Sequence, residues 1–333
     1  KLGSQGERVE RVRQIAKAIA AQLGDANLVA QADQAAQLAK TDLVTDMVGE
    51  FPELQGIMGG YYALNDGLGE TVAHAIEDHY KPRFAGDALP RNNVGVVVAL
   101  ADKLETLVGM FGIGNLPTGD KDPFALRRHA LGLIRMLVEK DLALDVTALV
   151  RGAAPAFGAK ITDASGALAD FVFDRLAGSL REQGYSAQEV DAVLALRPQR
   201  LGDVAKRLIA VRAFAALPES PALAAANKRI SNILKKTDDV DAHVSTVLLQ
   251  EPAEHTLYAA MQVALPLAHT QWEAGDYTAS LQSLAALRGP VDAFFEDVMV
   301  NVEQMDLRLN RLGLLKSLHV AMNRVADLSK LAT

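Results

Sequence analysis

Histidines are the side chains best suited to bind a transition metal or to move protons near neutral pH, so their spacing is informative. The chain has seven, at His74, His79, His129, His243, His255, His269 and His319. No two form an H-x-x-x-H motif or a His-Asp pair, and His74 and His79 are five residues apart, a poor spacing for one helical face. Cysteine is absent, which excludes disulfides and thiolate ligands. The spacing predicts no metal site.

Lysine and arginine form two clusters in the last third of the chain. Residues 301–333 contain five basic residues and three acidic ones. Arg308 and Arg311 are three residues apart, so they can share one helical face, with Asn310 beside them. The leucines that would then face the core are Leu309, Leu312 and Leu315. The earlier cluster consists of Lys228, Arg229, Lys235 and Lys236. Such faces suit RNA phosphates, although a charged helical face is more often only solvated.

Composition and periodicity indicate which elements carry these residues. Aromatic residues make up 5% of the chain, whereas Ala, Leu, Arg and Glu are abundant, which favours helix. Val12, Ile15 and Ile19 recur at helical spacing, and Ser186 with Glu189 fits a capping box. No alternating strand pattern is longer than a few residues. The sequence predicts an all-α protein, whose last helices span about 222–236, 253–272, 276–287, 290–301 and 308–330.

Two breaks divide the predicted helices. The stretch from Phe111 to Asp120 concentrates Gly, Pro and Asn, and residues 218–221 read Pro-Glu-Ser-Pro. We therefore predict three domains, over residues 1–118, 119–221 and 222–333.

The charge and the ends of the chain limit its cellular context. The formal net charge is -7, so a nucleic-acid site must be a local basic face. No apolar run approaches the roughly 20 residues of a membrane span, and the start lacks a signal peptide. We expect a cytoplasmic protein without a membrane partner. Because the chain lacks an initiator Met and enters a helix almost at once, we expect a fragment of a longer protein.

Four ordered stretches carry a resemblance to a known family. They are residues 39–48 (AKTDLVTDMV), 50–59 (EFPELQGIMG), 80–87 (YKPRFAGD) and 119–128 (GDKDPFALRR). Together they are similar to the β subunit of the bacterial two-subunit glycyl-tRNA synthetase. Further similar stretches at 227–234 and 294–300 extend the resemblance over nearly the whole chain.

The residues from about 222 onward also resemble the helical DALR anticodon-binding domain of arginyl-tRNA synthetases, chiefly through residues 307–315 (LRLNRLGLL). The resemblance implies that this region binds tRNA. The candidate tRNA-binding residues are Lys228, Arg229, Lys235, Lys236, Arg308, Asn310, Arg311 and Lys316.

Residues 8–107 resemble the HD superfamily, whose members bind metal through a histidine, a His-Asp pair and a later aspartate. Thr41 and Asp42 stand where the pair would be, and Asp102 resembles the closing aspartate. No histidine precedes residue 70, so the first ligand is missing too. Two carboxylates without imidazole donors make a poor transition-metal site. The resemblance implies a degenerate HD-like domain in which these three residues are vestigial, and we expect Asp42 and Asp102 to cap or brace helices.

The family resemblance also implies a division of labour in an α2β2 complex. A separate α subunit would use ATP to activate glycine and transfer it to tRNA-Gly, while the β subunit binds tRNA. We accordingly predict that this chain has no catalytic residue, no metal and no cofactor of its own. The alternatives are a metal-dependent HD-type phosphohydrolase and a non-catalytic helical scaffold.

Overall fold

The computed structural model describes residues 2–237 and 239–332, and most of them are helical. The α-helices are α1 Gln5–Leu23, α2 Ala26–Leu38, α3 Asp46–Glu50, α4 Ile57–Asn65, α5 Glu70–Asp78, α6 Asn93–Gly112, α7 Leu126–Glu139, α8 Val146–Ala153, α9 Ser165–Glu182, α10 Ala187–Leu194, α11 Gly202–Ala215, α12 Ser220–Leu234, α13 Pro252–Glu273, α14 Tyr277–Ser283, α15 Arg288–Asp297 and α16 Met305–Met322. Short 3-10 helices span Thr41–Val44, Pro52–Leu54, Ala154–Lys160, Thr246–Leu248, Leu284–Leu287 and Leu328–Leu331. The predicted all-α fold is confirmed.

Extended pairing is almost absent from the described residues, where the one β-bridge joins Thr118 to Lys121. In the same part of the chain, no single helix is long and apolar enough to cross a bilayer. Only α11 and α12 counted together, across a bend of 112°, reach that length and apolarity.

Helix boundaries follow capping chemistry that is visible in the sequence. Ser4 and Glu7 form a capping box at the start of α1, and the predicted box of Ser186 and Glu189 begins α10. The last helix was predicted over about 308–330. The observed helix, α16, begins earlier, at Met305, and is shorter, because it ends at Met322. The side chain of Asn323 then accepts a hydrogen bond from the amide of Leu328 at 3.1 Å, which stabilises the turn after the helix.

The described chain divides into two compact units. The N-terminal unit comprises Lys1–Gly178 with Gln199–Gly202, and the C-terminal unit comprises Ser179–Pro198 with Asp203–Thr333. The predicted boundaries near residues 118 and 221 fall inside these units, and the division into three domains stays a prediction.

The N-terminal unit is built around α6, which is buried along nearly all of its length. Its run Val94-Gly-Val-Val-Val-Ala-Leu leaves no polar face in the first turns, so the helix must be covered on all sides. Helices α1, α2, α5, α7 and α8 pack against it. The charged residues in its second half, Asp102, Lys103 and Glu105, are consequently buried as well.

The C-terminal unit places α12, α13, α15 and α16 around one apolar core. Leu223 and Ile230 of α12, Leu257 of α13, Phe294 of α15 and Leu314 of α16 are all buried. Helix α12 packs against both α15 and α16. Both predicted basic clusters therefore lie in this unit, on helices that touch each other.

Candidate nucleic-acid interface

Helix α12 has one buried apolar face and one exposed polar face. Leu223, Ala224 and Ile230 are buried, whereas Lys228 and Arg229 are exposed. Pro221 in the first turn suits a helix start, because its missing amide hydrogen has no partner there in any case. The helix therefore holds its basic residues toward solvent on a rigid support.

Polar side chains fix α12 against α16. Asn227 is fully buried and exchanges two hydrogen bonds with Asn323, at 2.8 and 3.0 Å. One turn later, the hydroxyl of Ser231 lies 2.9 Å from Nε2 of His319. Buried amides that satisfy each other favour one arrangement of the two helices, because any shift leaves polar groups without partners.

A groove of about 490 Å³ lies along the exposed side of α12. It is lined by Ala225, Lys228, Arg229, Asn232, Ile233, Lys236, Thr237, Asn301 and Arg308. Four of these residues, Lys228, Arg229, Lys236 and Arg308, are cationic and none is acidic; we call these four the cationic groove. Among the described residues, none of the four forms an ion pair. Their charges are therefore available to an external anion.

Arg229 is oriented by an aromatic ring. Its guanidinium lies 4.3 Å from the centre of the Phe295 ring, on α15. This cation–π contact restrains the side chain while leaving its N–H groups free to donate hydrogen bonds. Asn232, one turn after Lys228, adds an amide that can both donate and accept.

Arg311 lies in the interior, although Arg308 three residues earlier is solvent-accessible. Its Nε and Nη2 donate to the carboxylate of Glu254 at 2.9 and 3.1 Å, and Nη1 donates to the carbonyl of Met299 at 2.8 Å. Burial alone would raise the pKa of Glu254, but hydrogen bonds from Arg311 and two amides lower it below its ordinary value. Arg311 is therefore an internal counter-ion.

Asn310 is also buried, and it holds a neighbouring segment against α16. Its side chain accepts from the amide of Ser245 at 2.7 Å and donates to the carbonyl of Ser245 at 3.1 Å. Gly313 allows the same segment to approach, because a Cβ there would lie 2.1 Å from the carbonyl oxygen of His243. The segment before α13 is thus fixed by residues of α16.

Lys235 and Lys316 are outside the groove and lie near His319. Burial lowers the pKa of His319, and both lysines lower it further. Lys235 is exposed and Lys316 is half-buried. Neither lysine lines the cationic groove.

In the N-terminal unit, Asp42 performs a capping role. Its Oδ2 accepts hydrogen bonds from the amides of Gly56 at 2.6 Å and Gly59 at 3.0 Å, at the start of α4. Gly59 must lack a side chain, since a Cβ there would lie 2.9 Å from Ile76. The side chain of Thr41 is exposed and makes no contribution to the interior.

Asp102 is surrounded by cations. Its Oδ1 lies 3.1 Å from Nη2 of Arg8 and 3.3 Å from Nζ of Lys40, and Lys40 also lies over the ring of Tyr80 at 3.9 Å. Burial would raise the pKa of Asp102, but the charges of Lys40 and Arg8 outweigh it and hold that pKa well below its usual range. The carboxylate is fully compensated by protein cations.

This arrangement does not fit a metal ion of the HD type. A divalent cation at Asp102 would face the positive charges of Lys40 and Arg8, and Oδ2 of Asp42 already accepts two amide hydrogen bonds. Across residues 2–237 and 239–332, no three His, Asp or Glu side chains converge as a metal site requires. His79, beside this cluster, is fully buried, and its pKa is lowered to about 3 by burial and by Lys40.

Two family models match the chain. The glycyl-tRNA synthetase beta subunit model matches residues 1–195, and the DALR anticodon binding domain model matches residues 223–330. The first match alone covers more than half of the chain. The chain belongs to the glycyl-tRNA synthetase β-subunit family. The whole cationic groove lies within the second match.

Curated relatives agree with this membership. Glycine–tRNA ligase beta subunits of Paracidovorax citrulli and Delftia acidovorans are each 76% identical to the chain, over 99% and 100% of its length. That of Leptothrix cholodnii is 67% identical over 100% of the chain. The matched region is 47%, 47% and 48% of these three proteins, so the chain spans about half the length of the relatives it matches.

The eight candidate tRNA-binding residues of this β-subunit chain separate into three groups. The structure brings Lys228, Arg229, Lys236 and Arg308 together in one groove. It places Lys235 and Lys316 elsewhere on the surface. Asn310 and Arg311 are 5% and 4% exposed, so the predicted helical face that Arg311 shares with Arg308 was wrong, and Leu309, predicted to be buried, is 50% exposed. The reason is that Arg311 pairs with a buried carboxylate from another helix.

Asn232 and Phe295 belong to the site but were not predicted from the sequence. Asn232 follows Lys228 by one helical turn, a spacing that could have identified it. Phe295 lies within a stretch that carries the family resemblance, but its position under Arg229 depends on how α15 packs against α12.

Proposed function

We propose that this chain is the part of a glycine–tRNA ligase β subunit that binds tRNA, and that the cationic groove contacts the tRNA. The observation that carries the proposal is the groove itself: four unpaired cations, with no acid among its described lining residues, inside the region that matches an anticodon-binding domain. The names of the relatives support glycine–tRNA ligase as the enzyme.

The groove has the chemistry to recognise single-stranded RNA. Lysines and arginines displace counterions from phosphates, which supplies most of the affinity. Unstacked bases bind by stacking on planar groups and by hydrogen bonds along their edges. Arg229 offers a guanidinium plane, and Asn232 offers an amide with both donor and acceptor. Lys228 and Lys236 would then contact the backbone on either side.

The net negative charge of the chain would help to orient an RNA that approaches the groove. With a formal net charge of -7, the chain as a whole repels a polyanion, whereas the groove attracts it. An RNA that approaches would therefore be steered toward the groove.

In this proposal the aminoacylation chemistry belongs to another chain. An α subunit would bind ATP and glycine in an α2β2 assembly in the cytoplasm, and the present chain would contribute binding of tRNA-Gly and no catalytic residue. The helical fold supports this division, because the described residues contain no antiparallel sheet of the kind on which such synthetases build their ATP site.

A titration of the chain with labelled tRNA-Gly tests the proposal. The test variant is Lys228→Gln with Arg308→Gln, and the matched control is Lys206→Gln with Lys330→Gln, which removes two exposed charges of the same unit outside the groove. We expect the groove variant to weaken binding by at least about tenfold at moderate salt, since each lost phosphate contact is costly. The control should change affinity by less than about twofold.

A parallel series with anticodon-substituted tRNA-Gly tests base recognition. We expect the wild-type chain to prefer the natural anticodon and Arg229→Ala with Asn232→Ala to reduce that preference, because base contacts rather than phosphate contacts carry sequence. Equal losses in the groove and control variants, or binding that ignores the anticodon in the wild-type chain, would refute the proposed site.

A further inference from the structure

A second cavity, in the N-terminal unit, is lined by three of the stretches on which the family resemblance rests. Its volume is about 570 Å³. Gln55 comes from the stretch 50–59, Lys81 and Arg83 come from 80–87, and Arg128 comes from 119–128. Stretches far apart in sequence thus meet at one cavity, and neither the capping role of Asp42 nor the cationic groove explains them.

Two cations of this cavity lack an acidic partner. Lys81 and Arg83 are paired, with Asp78 at 2.9 Å and Asp87 at 3.0 Å. Within the described residues, Lys103 and Arg128 form no ion pair of this kind. Lys103 is 2% exposed, and its Nζ donates one hydrogen bond, to the carbonyl of Tyr80 at 3.3 Å. A buried ammonium has three donors, so Lys103 retains capacity for a further acceptor.

The start of α7 lies at the same cavity. Ala125, Arg128 and His129 line the cavity where this 14-residue helix begins. The carboxylate of Asp122 accepts from the amides of Leu126 and Arg127, at 2.8 and 2.9 Å. Asp122 therefore caps this end of the helix and compensates its positive charge, so the uncompensated cations near the cavity are the side chains of Lys103 and Arg128.

The acids of the cavity do not cancel these charges. Glu77 is engaged by Arg91 at 2.6 Å, and Glu53 is exposed to solvent. Burial lowers the pKa of Lys103 to about 8, because desolvation outweighs the attraction of Asp102 and Asp87. The lysine is thus a buried cation whose charge the protein only partly compensates.

We propose that this cavity binds the phosphate group of a nucleotide, with Lys103 contacting the phosphate from the buried side and Arg128 from the exposed side. Arginine and lysine are the usual phosphate ligands, and the volume suits a ligand the size of a mononucleotide. The site binds without chemistry: no bond is made or broken. It is separate from the cationic groove and does not depend on the proposed tRNA site.

Calorimetric titration of the chain with adenosine 5′-monophosphate, inorganic phosphate and adenosine tests this site. We expect the monophosphate to bind, inorganic phosphate to compete with it, and adenosine to show no binding. Arg128→Gln should weaken binding of the monophosphate by about tenfold, which is the usual effect of losing a hydrogen bond to a charged group. The matched control is Arg127→Gln, the neighbouring arginine of α7, which does not line the cavity.

Lys103→Met provides a second variant, with thermal unfolding as the check that it folds. In the Lys103→Met variant, inorganic phosphate should no longer compete with the monophosphate. Titration with a 5′-phosphorylated RNA trinucleotide separates the two sources of a nucleotide phosphate: tighter binding than the monophosphate indicates an RNA end, and equal binding indicates a free nucleotide. Adenosine that binds as well as the monophosphate, equal effects of Arg128→Gln and Arg127→Gln, or no binding of any phosphate compound would overturn the proposal.

Discussion

Asp102 in the N-terminal unit and Arg308 in the C-terminal unit are both charged residues of long helices, but their surroundings differ. Asp102 is 3% exposed and has two cations within 3.3 Å. Arg308 is partly exposed, lines a groove with three other cations, and forms no ion pair with any described residue. The first arrangement compensates a charge inside the fold, whereas the second leaves charge for a ligand.

The same contrast occurs within α16 alone. Arg311 is enclosed with Glu254, and Arg308 one turn earlier belongs to the cationic groove. A buried charge that loses its partner destabilises the fold, while an exposed unpaired charge contributes little to stability. Stability and RNA affinity should therefore respond to different charged residues.

Asp102→Asn should have the largest effect on stability. It removes the carboxylate that compensates Arg8 and Lys40, so we expect the free energy of unfolding of the N-terminal unit to fall by about 4 kcal/mol. Urea denaturation measures it. Asp66→Asn, at an exposed position of the same unit, is the control and should change stability by less than about 0.5 kcal/mol. A loss below about 1 kcal/mol for Asp102→Asn would show that the buried cluster is not a compensated unit.

Arg311→Met and Arg308→Met form a matched pair on one helix. The first leaves Glu254 buried without its cation and should cost about 3 kcal/mol of stability. The second should change stability by less than about 0.5 kcal/mol, but it should weaken tRNA binding. Chemical denaturation and tRNA titration of both variants give the comparison. The reverse pattern would place Arg311, rather than Arg308, at the interface.

Acid should destabilise the N-terminal unit through His79. Because its folded pKa is about 3 and its ordinary value is 6.5, the unfolded chain takes up a proton first as the pH falls below 6.5. The contribution of neutral His79 to the free energy of unfolding is therefore fully present above pH 6.5 and is lost progressively toward pH 3. Between pH 7 and pH 5 the loss due to His79 should be about 2 kcal/mol.

His79→Leu isolates this contribution from those of other histidines. The variant should be less stable at pH 7, because the histidine hydrogen-bonds to the carbonyl of Ile76, yet it should lose less stability on acidification than the wild-type chain. Identical pH profiles for the two proteins would mean that His79 is not buried in its neutral form.

The sequence predicted the helices of both units better than it predicted the ion-pair partners of their charged residues. Helical periodicity and capping residues located α1, α10 and α12, because the signals for these elements lie within a few residues. The partners of charged residues are distant: Arg8 and Asp102 are 94 positions apart, and Arg311 and Glu254 are 57 apart. Local spacing contains no information about such pairs.

This limit explains which site residues were predicted. Lys228 and Arg229 lie on α12, an amphipathic helix whose apolar face is evident from the sequence, so their exposure followed from periodicity, whereas Lys236 lies in the turn after this helix. Arg308 and Arg311 stand in a segment with leucines on several sides, and periodicity could not decide which arginine faces inward. Arg311 faces inward because Glu254 of α13 supplies it with a buried partner, and Glu254 does not pair with Arg308.

The most direct test of the central claim is the salt dependence of tRNA affinity, measured for the wild-type chain and for a variant with all four groove cations, Lys228, Arg229, Lys236 and Arg308, changed to glutamine. If these residues contact phosphates, the slope of log affinity against log salt concentration should become shallower by about 3, since each released counterion contributes roughly 0.7 to 0.9. Arg311→Met should leave the slope unchanged. An unchanged slope in the four-site variant would contradict the assignment of tRNA binding to the cationic groove.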